Sequence, residues 1–106
     1  MKKSMLILIQ RGTLTETQLA IDMALAASAF EVPLSVVFSD EAVKQLLPTS
    51  DEATLLLQKQ IKAWPWYDIH SVFVLAHEGS FILPVTLLDP AGMRDLIKQA
   101  SICLKY

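Results

Sequence analysis

The chain has 106 residues, the size of one domain (1–106), and nine Lys and Arg against eleven Asp and Glu give a formal charge of −2. Without a basic field, direct nucleic-acid binding through phosphate neutralisation is disfavoured. A single cysteine, Cys103, rules out an internal disulfide and a multi-thiolate metal site, and points to a reducing compartment. Hydrophobic residues make up 53% and charged ones 19%, against about 45–50% and about 25% in typical domains. So small a domain has too little interior for that surplus, so burial against partner chains is expected.

Met1-Lys2-Lys3 before Met5-Leu6-Ile7-Leu8-Ile9 has the outline of a signal peptide, but the apolar run is short and ends at Gln10-Arg11 without a small-residue cleavage site. It reads as a first, fully buried strand. No stretch approaches the roughly 18 apolar residues that span a bilayer, so no membrane partner and a cytoplasmic location are expected. Thr13 and Glu16 have the capping-box spacing, opening a helix over about Thr15 to Phe30. Leu19, Met23, Ala26 (or Ala27) and Phe30 share one of its faces, and Ile21 and Leu25 lie on another. A helix apolar almost all round is buried on more than one side.

Pro33 precedes Leu34-Ser35-Val36-Val37-Phe38, a β-branched and aromatic run typical of a central strand. Ser39 is placed to cap a short helix whose inward side is Val43, Leu46 and Leu47, and Pro48 stops it. Thr49 and Glu52 repeat the capping-box spacing and open a helix with Ala53, Leu56, Leu57, Gln60, Ile61 and Trp64 along one side, broken by Pro65. The aromatics Trp64, Trp66 and Tyr67 around that proline suit a packed helix terminus or a subunit contact better than a base-stacking platform.

Ser71 to Ala76 reads as a third strand. Phe81 to Leu88 carries a fourth, which Pro84 makes an edge or a distorted strand. Asp89-Pro90 is an N-cap followed by proline at the first helical position, and Met93, Leu96 and Ile97 give that helix its apolar side. Strand five is Ser101 to Lys105. Alternating strands and helices imply a three-layer α/β/α fold around a mainly parallel five-stranded sheet. The connection between strands three and four is the exception. Only His77-Glu78-Gly79-Ser80 separate the two runs, whereas a parallel crossover takes about ten residues or more, so a hairpin or an irregular fourth strand stays open.

Three blocks carry a family resemblance. They are Ile21-Asp22-Met23-Ala24-Leu25-Ala26-Ala27-Ser28-Ala29-Phe30; Val36-Val37-Phe38 through Gln45-Leu46-Leu47-Pro48; and Tyr67-Asp68-Ile69 with the closing strand-helix-strand from Phe81 to Tyr106. In this order and spacing the chain resembles the DsrE/DsrF/DsrH-like sulfur-relay family, most of all its TusC/DsrF branch. The resemblance implies a small α/β fold and a hexamer of three paralogous subunits, two copies of each, that accepts persulfide sulfur and passes it on. It serves tRNA wobble-uridine 2-thiolation in one branch and sulfur oxidation in the other. Implied partners are a cysteine-bearing DsrE/TusD-like and a DsrH/TusB-like paralogue, with self-association as the alternative. In the family the carrier cysteine follows strand three of the TusD/DsrE subunit. The matching stretch here, Val74-Leu75-Ala76-His77-Glu78-Gly79, has none, which fits the TusC/DsrF branch, whose subunits are not the main sulfur carriers, and its loop is several residues shorter than in TusC.

The expected function is therefore a non-catalytic subunit of a sulfur-relay complex, with no cofactor and no metal. The alternative is a stand-alone homo-oligomer that binds a small molecule at the carboxyl edge of the sheet, in a cleft lined by Arg11, Ser39 and His77. An enzyme with its own nucleophile ranks third, because Cys103 is the only thiol. Persulfide chemistry needs an accessible thiolate. Lys105 shares the strand face of Cys103, but a core cysteine between Ile102 and Leu104 is the favoured reading over a secondary sulfur acceptor. His77 with Glu78 and His70 beside Asp68 are expected in ordinary loops.

Overall fold

The computed structural model describes residues 3–75 and 79–106. The apolar runs form β1 (Met5–Ile9), β2 (Leu34–Phe38), β3 (Val72–Leu75), β4 (Thr86–Leu88) and β5 (Ile102–Lys105). They make one sheet in the order β4-β3-β2-β1-β5, with every neighbouring pair parallel. Between them run α1 (Leu14–Ala29), α2 (Glu52–Lys62) and α3 (Pro90–Gln99), with a 3-10 helix at Asp40–Leu46 and a shorter one at Trp64–Tyr67. The three-layer α/β/α architecture is as the sequence predicts. No helix among the described residues is long and apolar enough to cross a membrane.

Parallel pairing of β3 with β4 (Phe73 beside Thr86, Leu75 beside Leu88) excludes a hairpin there. The chain gains the length for a crossover by starting β4 at Thr86 rather than Phe81. Pro84, which has no N–H for a ladder, lies in the irregular segment before it. Phe81, Ile82, Leu83 and Val85 pack as half-buried residues against the core instead, and the Ile82 amide donates to the Leu46 carbonyl at 2.9 Å.

The two faces of the sheet differ in thickness. On one, Ile7, Ile9, Val36, Phe38, Val72 and Val74 meet Ile21 and Ala24 of α1 and Leu57 and Ile61 of α2. On the other, Leu6, Leu8 and Val37 are covered by Met93 of α3, with Leu96 half-buried beside it. Helix α1 buries Thr17, Ala20, Ile21, Ala24 and Ala27, a stripe at helical spacing made mostly of small residues. This corrects the predicted face in part: of Leu19, Met23, Ala26 (or Ala27) and Phe30, Ala27 is buried and Met23 half-buried against the core, while Leu19, Ala26 and Phe30 are exposed. Small side chains let the helix come close to the sheet, which turns the larger Leu19 and Phe30 outward. On α2 the buried set is Leu57, Gln58 and Ile61, and Leu56 is exposed.

Two caps are as predicted. Thr13 Oγ1 accepts from the Glu16 amide at 3.3 Å, and Asp89 Oδ1 from the Gly92 amide at 2.7 Å. The third lies two residues further on. Asp51, not Thr49, caps α2, its carboxylate accepting from both the amide (2.9 Å) and the hydroxyl (2.7 Å) of Thr54. An ionised oxygen is the stronger acceptor, and Thr49 Oγ1 accepts from the Asp51 amide instead, at 3.1 Å. Nor does Ser39 cap the 40–46 helix; its hydroxyl donates to Asp40 at 2.9 Å.

Two buried glutamines join these parts. Gln45 Oε1 accepts from the Thr17 hydroxyl of α1 at 2.6 Å, and its Nε2 donates to the Gly12 carbonyl at 3.1 Å. Gln58 Nε2 of α2 donates to the carbonyls of Gln45 and Leu47, both at 2.8 Å. A buried acceptor left without its donor costs about 1–3 kcal/mol. Gln58→Leu is therefore expected to lower stability by about 1–3 kcal/mol in urea denaturation, with little change in m-value.

The two hydrogen bonds from Thr54, the side-chain one foremost, hold the Asp51 carboxyl below its ordinary value. A depressed carboxyl pKa contributes stability that is present above the unfolded value and is lost as pH falls through the folded one. Acid titration followed by circular dichroism should show early loss of α2 helicity below about pH 4, and Asp51→Asn should flatten that step.

Candidate functional site at the carboxyl edge

A fully parallel sheet brings the carboxyl ends of all its strands to one edge, where open α/β sheets bind ligands. Here the loops after β1 and β2 are tied together. The Ser39 amide donates to the Ile9 carbonyl at 2.9 Å and the Ala42 amide to the Gln10 carbonyl at 3.2 Å. The amides of Gln10 and Arg11 both donate to the carbonyl of Tyr106, just past β5, at 2.8 and 3.2 Å. A Cβ on Gly12 would lie 3.1 Å from Glu41 Cβ and 3.2 Å from the Glu41 carbonyl oxygen, so glycine permits the close approach of these two loops.

Of the predicted cleft residues, the structure brings Arg11 and Ser39 to this edge. Arg11 is exposed and its guanidinium pairs with Glu16 at 3.1 Å. Ser39 is buried, with its hydroxyl turned to Asp40. His77, with Glu78, lies outside the described residues. His70 is exposed and stands 3.9 Å from Asp68 near the opposite, amino edge. Among the described residues no three His, Cys, Asp or Glu side chains stand together as a metal site.

Cys103 is where the structure departs most from expectation: the thiol is exposed, not a core residue. The sheet order explains this. β5 is an outermost strand, paired only with β1. Cys103 lies beside Leu6 and Lys105 beside Leu8 on the α3 face. That face has a single covering helix, whose buried residue Met93 packs over Leu6, Leu8 and Val37. A strand at the rim lacks cover on one side whatever its hydrophobicity.

The aromatic trio divides. Trp64 is fully buried against Phe38, ring centroids 6.2 Å apart, and its Nε1 has no hydrogen-bond partner among the described residues. Trp66 and Tyr67 project outward. Sequence reasoning missed Gln45 and Gln58 as anchors of this edge, because glutamine carries no prior for burial. The position of Gln45 in the Gln-Leu-Leu-Pro block was the available signal.

No model of a known protein family matches the chain. The ychN protein of E. coli, known from a crystal structure, aligns with all of this chain and all of its own at a TM-score of 0.68 and 14% identity, and so shares the fold. The protein TusC homolog of Pseudomonas aeruginosa is 32% identical over 91 residues, 76% of each chain. The fold is thus that of a small parallel α/β protein of the ychN type. The chain belongs to the TusC/DsrF-like branch of the sulfur-relay family.

The exposure of Cys103 has a direct consequence. A colorimetric thiol reagent should read one reactive thiol per chain in the folded protein, with no further thiol after denaturation. A thiol that titrates only in denaturant would contradict the edge position of β5.

Proposed function

We propose that the chain is a non-catalytic subunit of a sulfur-relay complex that completes the assembly and positions cysteine-bearing partners. One observation carries this reading: a chain 32% identical to a TusC homolog has no cysteine in the 74–79 stretch that begins in β3 and runs past its end. Its only thiol is Cys103, on an edge strand that leaves the carboxyl end of α3. A reactive thiolate is commonly made by a helix N-terminus or a close cation. Lys105, two residues along the same face, is the one feature favouring a secondary acceptor role.

The partners in this reading are a DsrE/TusD-like subunit that carries the sulfur and a DsrH/TusB-like subunit. The assembly would work in the cytoplasm on tRNA wobble-uridine 2-thiolation or in sulfur oxidation. Arg11 and Ser39 then shape the edge that faces a partner. The surplus of apolar side chains, with Leu19 and Leu56 exposed on α1 and α2, fits a chain built to be covered.

Native mass spectrometry of the tagged chain from its host is expected to show two small paralogues in equal number, one with a cysteine after its third strand. A homo-oligomer without companions would sink the proposal. With the complex reconstituted, Cys103→Ser is expected to retain persulfide transfer at close to the parent rate. Complete loss would make this thiol a carrier.

A further inference from the structure

At the amino edge of the sheet, two turns meet. One follows α1 and carries Phe30 and Glu31. The other is the 64–67 helix and its exit, with Trp66, Tyr67 and Asp68. The Ser28 hydroxyl donates to the Tyr67 carbonyl and fastens one to the other. Trp66 is 88% exposed, Phe30 82% and Tyr67 53%, so three aromatic side chains stand in solvent on adjoining turns. Beside them Glu31 and Asp68 both line a cleft of about 410 Å³, together with Ser28, Val32, Pro33, Leu34 and Ile69.

The charge on the two segments that build this patch is one-sided, with Lys3 reaching the same edge from β1, whose Met5 amide donates to the Pro33 carbonyl at 2.8 Å. The carboxyl end of a helix carries partial negative charge, which Lys or Arg in the last turn ordinarily offsets. α2 has Lys59 and Lys62 there and α3 has Lys98, but α1 has no basic residue in its last turn. Glu31 follows that end instead, adding a like charge, and its φ of 57° lies in the left-handed region where glycine is usual. Neither segment that builds the patch, 12–43 or 63–93, contains a Lys or an Arg.

We propose that the amino edge, at Phe30-Glu31 and Trp66-Tyr67-Asp68, is a docking surface for an arginine- or lysine-bearing segment of a partner protein. Exposed Trp and Tyr attract such cations through their ring faces, and the same residue types dominate the energetics of interfaces. The two carboxylates and the uncompensated end of α1 supply the complementary charge. This inference goes beyond the relay reading and does not depend on it.

The test is a titration of the full-length, nitrogen-15-labelled chain with a tetra-arginine peptide, and with tetra-glutamate as control, followed by NMR. The expected result is that shifts concentrate at residues 28–33 and 66–70 and at the Trp66 indole N–H with the arginine peptide alone, and shrink in high salt. Trp66→Ala should weaken the binding about 2- to 5-fold, and Glu31→Gln should weaken it in low salt only. Trp66 is exposed, so its removal leaves folding intact. Absent shifts, or shifts spread evenly over Glu41, Glu52 and Asp95, would overturn the proposal. Movement of the same resonances on raising protein concentration without peptide would overturn it differently, by making a second copy the occupant.

Discussion

The side-chain amides of Gln45 and Gln58 hold in register parts that are far apart in sequence. Gln45 reaches the hydroxyl of Thr17 on α1 and the carbonyl of Gly12 in the loop after β1, and Gln58 holds the backbone of the segment containing Gln45. Both amides are out of water, so their polar atoms must be satisfied inside the protein. The network sets where α1 and α2 sit relative to the loops at the carboxyl edge. It also explains why Gly12 and Glu41 approach so closely, since both loops are drawn to the same buried side chain.

The wholly parallel strand order has further consequences. Every connection becomes a crossover, and α3 must travel from the β4 edge to the β5 edge over one face. A single ten-residue helix is a thin cover for five strands, and the rim strand β5 is left uncovered. On the other face α1 and α2 lie side by side, linked by the side-chain amides of Gln18 and Gln60 at 2.8 Å, and Leu19 and Leu56 stay outside. The apolar surplus in the composition thus appears on the structure as particular uncovered side chains.

This chain carries its one thiol on the rim strand β5 and has none in the 74–79 stretch. The carboxyl edge is closed on itself by backbone hydrogen bonds among Ile9, Gln10, Ser39, Ala42 and Tyr106. Such an edge is suited to forming a wall against a neighbour. The amino edge presents aromatic rings and carboxylates, so the two ends of the strands have different chemistry and suit different contacts.

Much of the architecture was determined by the sequence alone. Period and punctuation placed four of the strands, three long helices and the short one after β2, Asp89-Pro90 marked the start of α3, and the three blocks quoted above pointed to the family; the fourth strand was expected from Phe81 and begins at Thr86. These signals are local: a β-branched run, a cap or a proline acts on its own few residues. What only the tertiary structure decided depended on which strand lies at the rim and which helix face comes closest. Cys103 is exposed because β5 has one neighbour. α1 turns Leu19 and Phe30 outward because a stripe of alanines packs closer to the sheet. Gln45 and Gln58 are buried because each finds partners distant in sequence. Hydropathy says how strongly a residue resists water, but the strand order and the fit between layers determine whether it is kept from it.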